Sequence, residues 1–64
     1  MLVWHKLELL KASCNVEIRS LFAAGTLSWR VTIGRDDPPI VVEREELRDA
    51  VNAAIEEAEH RGWL

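Results

Sequence analysis

The chain predicts an α+β domain: a three-stranded antiparallel sheet (β-β-β) with one C-terminal amphipathic α-helix packed on one face. Three observations carry this. Residues 26–33 alternate apolar and polar side chains with period two. Residues 14–22 do nearly the same, and a short glycine-containing link joins the two runs. Residues 43–61 change to a period near 3.6, with apolar and acidic stripes on opposite sides.

The first segment, residues 3–10, admits two readings. Val3, Leu7 and Leu9 would face inward from a strand, whereas Lys6 to Ala12 contains good helix formers throughout. The strand is preferred because a two-stranded sheet is a poor independent unit and a third strand would complete it. The second strand spans residues 14–22. Val16, Ile18 and Phe22 fall on one face, and Glu17 and Arg19 on the other. Ala23-Ala24-Gly25 then links it to the third strand, where Leu27, Trp29, Val31 and Ile33 share a face. Gly34-Arg35-Asp36-Asp37-Pro38-Pro39 is a turn by composition: Gly frees φ, Asp bonds back to the backbone, and Pro donates nothing. Ile40-Val41-Val42 reads as an extended lead-in to the helix.

The helix is expected over residues 43–61. Glu43 with Glu46 makes a weak capping box, Gly62 suits C′, and Trp63 is placed to fold back on the last turn. At about 100° per residue from Leu47, the apolar residues Ala50, Ala54, Leu47, Ala58, Val51 and Ile55 span roughly 300° through 80°. Glu59, Asn52, Glu45, Glu56 and Asp49 span roughly 120° to 200°.

Sixty-four residues make one domain, residues 1–64, with 48% hydrophobic and 30% charged composition in the globular range. A chain this short buries only about 60% of its unfolded surface, so self-association is a natural source of extra stability. Cys14 is the single cysteine, which removes any intrachain disulfide and fits a reducing compartment. No apolar run approaches about 18 residues, and residues 1–6 lack the long apolar core of a signal peptide. The expected location is cytoplasmic.

Chemistry-bearing motifs are sparse. The chain has no glycine-rich phosphate loop, no HExxH and no paired-cysteine spacing. Cys14 with His5 or His60 could form a nucleophile–base pair, but a small buried thiol beside Val16 and Ile18 is the plainer reading. Asp36 and Asp37 lack the further oxygen ligands of a cation site. Neither catalytic residues, a metal nor a cofactor is expected.

Charge is the more informative property. Residues 1–35 hold five basic against two acidic residues, net +3; residues 36–64 hold three against nine, net −6. The expected function is a non-enzymatic protein-interaction module, a regulator or inhibitor. It would set the ridge of Glu45, Asp49, Asn52, Glu56 and Glu59 against a basic partner surface, such as that of a nucleic-acid-binding protein. A solubilising helix face explains the same residues. One alternative is a homo-oligomeric assembly protein, with a homodimer as its simplest form. Another is weak nucleic-acid binding through the open sheet face, by Trp4, Arg19, Leu21 and Arg30. The thin basic charge argues against the latter, and no membrane interaction is expected.

Overall fold

The computed structural model describes residues 3–64 and has the order α1 (Val3–Ser13), β1 (Asn15–Ala23), β2 (Thr26–Gly34), β3 (Ile40–Arg44) and α2 (Leu47–His60). The strands form one antiparallel sheet in the order β1-β2-β3. The amphipathic α2 packs on one face of it, over β2 and β3, and α1 packs against α2 and β1.

The third strand is not the one expected. Residues 3–10 lie in α1, and β3 comes from residues 40–44 instead. Val3, Leu7, Leu10 and Cys14 recur at helical spacing, and all four are in or against the core. Leu10 is fully buried rather than on an open sheet face, and Leu9 is exposed rather than inward. Ile40–Val42, expected to lead into α2, and Glu43 and Arg44, expected in its first turn, pair with β2 instead, Val42 opposite Val31 and Arg44 opposite Trp29. That pairing takes the backbone groups of Glu43 and Arg44 into the sheet. The helix therefore starts at Leu47, not residue 43, with Glu46 as an N-cap that makes no side-chain hydrogen bond.

The hairpin between β1 and β2 is closed by Ala24-Gly25, at φ 54° and 78°. Two positive φ values are what a two-residue turn needs to match the twist of its strands. At the other end of β2, the link to β3 contains a cis Asp37–Pro38 bond.

Val31, Ile33 and Ile40 on the sheet meet Ala50, Val51, Ala54, Ile55 and Ala58 on α2. The fully buried alanines at i, i+4 and i+8 put only methyl groups along the helix midline, so the backbone of α2 can lie close to the sheet. The helix ends in a Schellman motif. Gly62, at φ 75°, donates to the Glu59 carbonyl at 3.1 Å, and Trp63 donates to the Ala58 carbonyl at 2.8 Å. This turn buries the Trp63 ring beneath the helix end. The Arg61 guanidinium lies 5.2 Å from that ring, pairs with Glu57 at 3.3 Å and donates to the Pro38 carbonyl. One side chain thus ties the end of α2 to the β2–β3 link.

Candidate functional site

The acidic stripe does not survive as one ridge. Glu45 precedes α2 and is not on its helical surface. Glu59 turns to α1, where its carboxylate accepts a hydrogen bond from Lys6 Nζ at 3.1 Å. Asn52 is half-buried and lines a cleft. Asp49 and Glu56 remain exposed, and neither forms an ion pair among the described residues. Two helical facts were missed from sequence: the late start of α2, and the presence of α1 alongside it.

The sheet-face set also divides. Trp4 is on α1, not on the sheet. Arg19, Leu21 and Arg30 do share the uncovered face, because Ile18, paired with Val31, points to the helix side. Each arginine, however, has a carboxylate. Arg19 pairs with Glu17 at 2.9 Å, and Arg30 donates from Nε and Nη2 to one oxygen of Glu43 at 3.1 and 3.0 Å. The charged residues of this face are these two arginines and two glutamates, so its net charge is zero. The apparent basicity came from assigning Glu43 to the helix.

A concave feature among the described residues lies on the helix side. Val3 and Trp4 of α1 face Leu47, Arg48 and Asn52 of α2 across an open cleft of about 480 Å³. Lys6 reaches the last turn of α2 while Trp4 reaches its first two, so the start of α1 straddles α2. Trp4 is 54% exposed on the lip of the cleft, and Leu47 packs against the core as its base. Asp49 and Glu56 flank Asn52 at i−3 and i+4 on the outward side of α2, close enough to be surface neighbours of it.

No protein-family model, curated protein or solved structure matches this chain.

Cys14 is half-buried at the junction of α1 and β1, with its sulfur 3.7 Å from Ser13 Oγ. His5 and His60 are exposed on separate helices. Among the described residues, no three His, Cys, Asp or Glu side chains group as metal ligands, and no helix is long and apolar enough to cross a membrane.

Proposed function

We propose that this domain is a protein-interaction module, and that the cleft between α1 and α2 receives a segment with an apolar anchor flanked by basic side chains. The observation that supports this is the juxtaposition of a mainly apolar cleft, lined also by Arg48 and Asn52, with two acidic groups that form no ion pair among the described residues. The anchor would displace water from Val3, Trp4 and Leu47. Tryptophan at the edge of a concavity is the side chain most able to concentrate binding energy. The lysines or arginines beside the anchor would meet Asp49 and Glu56, which adds selectivity and on-rate more than affinity. Basic grooves that hold nucleic acid have suitable charge. A domain seated in one would exclude the nucleic acid and act as an inhibitor.

The nucleic-acid-binding alternative rests on a basic sheet face, and pairing of Arg19 and Arg30 with glutamates removes that surplus.

The test is selection from a displayed random-peptide library against the immobilised domain, followed by titration of the selected peptides. The sequences recovered are expected to combine an aromatic or aliphatic anchor with Lys or Arg. Trp4→Ala should weaken them by about 30-fold, the effect of a hot-spot loss near 2 kcal/mol. Asp49→Lys with Glu56→Lys should weaken them and flatten their salt dependence. Peptides that lack basic residues, or that bind both variants as well as the parent, would refute the proposal.

A further inference from the structure

The two edges of the sheet are unlike. β3 is five residues long and follows Pro38-Pro39, both of which blunt an edge. β1 is nine residues long and has neither Pro nor Gly. It pairs with β2 in continuous register, without a bulge, and none of its residues is buried. Beyond Trp29 the hairpin also outruns β3, so its last three pairs, Leu21–Ser28, Phe22–Leu27 and Ala23–Thr26, have no third strand beside them. There Phe22 and Leu27 sit opposite each other on the helix-side face, 75% and 49% exposed. A long, unbulged edge with exposed apolar side chains is an open template for another strand.

We propose that β1 pairs antiparallel with β1 of a second copy about a two-fold axis at Ser20, giving a continuous six-stranded sheet. The pattern of β1 is self-complementary in this register. On the helix-side face, Ile18 lies opposite Phe22 of the second copy, and its own Phe22 opposite the second copy's Ile18. The two serines meet at the axis, where small side chains allow close approach. On the outer face Arg19 lies opposite Leu21, which leaves the Arg19–Glu17 pair of each chain intact. The two neighbouring registers toward the start of the strand are worse. An axis at Arg19 sets two guanidiniums against each other, and like charges directly opposite are destabilising. An axis at Ile18 leaves Phe22 opposite Cys14, beyond the end of the strand. A closed two-fold pairing uses both copies' β1 edges at once and so does not propagate into a fibre. It also supplies the added burial that a 64-residue domain without a disulfide benefits from.

Light scattering on a sizing column, across micromolar to millimolar protein, reads the mass directly. The expected value is twice 7.3 kDa. Ser20→Lys sets two ammonium groups opposite each other at the axis while altering only an exposed side chain, so the mass should fall to 7.3 kDa with circular dichroism unchanged. In a Cys14→Ala background, Ser20→Cys should form an intermolecular disulfide under mild oxidation, because directly opposed strand residues lie within disulfide reach. Glu17→Cys should not, since its counterpart would be six positions away along the strand, about 20 Å at about 3.4 Å per residue. A parent chain that stays at 7.3 kDa overturns the proposal. So does a dimer that persists in folded Ser20→Lys, or Glu17→Cys cross-linking as readily as Ser20→Cys.

Discussion

Ala24 is the one non-glycine residue with a positive φ among the described residues. A left-handed conformation with a Cβ costs roughly 1–2 kcal/mol, and Asn tolerates it better because its short polar side chain bonds locally. Ala24→Asn is therefore expected to stabilise the domain by about 0.5–1 kcal/mol, raising Tm by about 2–8 °C in a thermal melt. Ala24 lies in the β1–β2 turn, outside the residues that line the cleft between α1 and α2, so peptide binding there should be unaltered. Gly62 presents the same backbone demand with the suitable residue in place, and the sequence reading identified it as C′ for that reason. The ion pairs are of a different order. Lys6–Glu59, with side chains 28% and 44% exposed, contributes about 0.2–1 kcal/mol, and its value is to orient α1 on α2.

At the level of elements, β1, β2 and α2 were legible because each repeats one period over eight residues or more. α1 and β3 were not. The apolar positions of α1 fit a helix as Val3, Leu7 and Leu10, yet Val3, Leu7 and Leu9 also fit a strand, and about three turns of helix contain too few apolar residues to separate the two. The choice then fell to the count of strands, and it was correct that a third was needed. β3 supplied it from only five residues, whose glutamate and arginine looked like the start of α2. The site was legible in part for the same reason. Asp49 and Glu56 depend on the helix alone, whereas the cleft depends on α1, which was assigned to the sheet. The helical reading of α1 has a direct test. Leu10 is fully buried by virtue of it, so Leu10→Ala should cost about 2–5 kcal/mol in urea unfolding, while Leu9→Ala, 44% exposed, should cost well under half as much. A reversed order, with Leu9→Ala the costlier, would point to the alternating pattern of a strand, in which Leu9 faces inward and Leu10 outward.

Over the whole molecule, total stability for 64 residues is about 3–10 kcal/mol, so a single core truncation removes a large part of it. That stability is unevenly held. α2 is joined to both β2 and β3, and Arg61 fastens its end to the link between those strands. α1 adds Leu7 and Leu10 to the core and one surface ion pair. Local opening follows such differences in attachment. Hydrogen–deuterium exchange should therefore find the amides of α1 exchanging ahead of those of α2; equal protection would show that both open as one unit. Val3 and Trp4 form one wall of the cleft, so every excursion of α1 away from α2 takes the cleft apart. A segment that grips both walls must then slow exchange in α1 while leaving the outer edge of the sheet as it was. The weakly held first helix becomes a built-in reporter, by which occupancy of the cleft is readable from deuterium uptake with no label attached to either molecule.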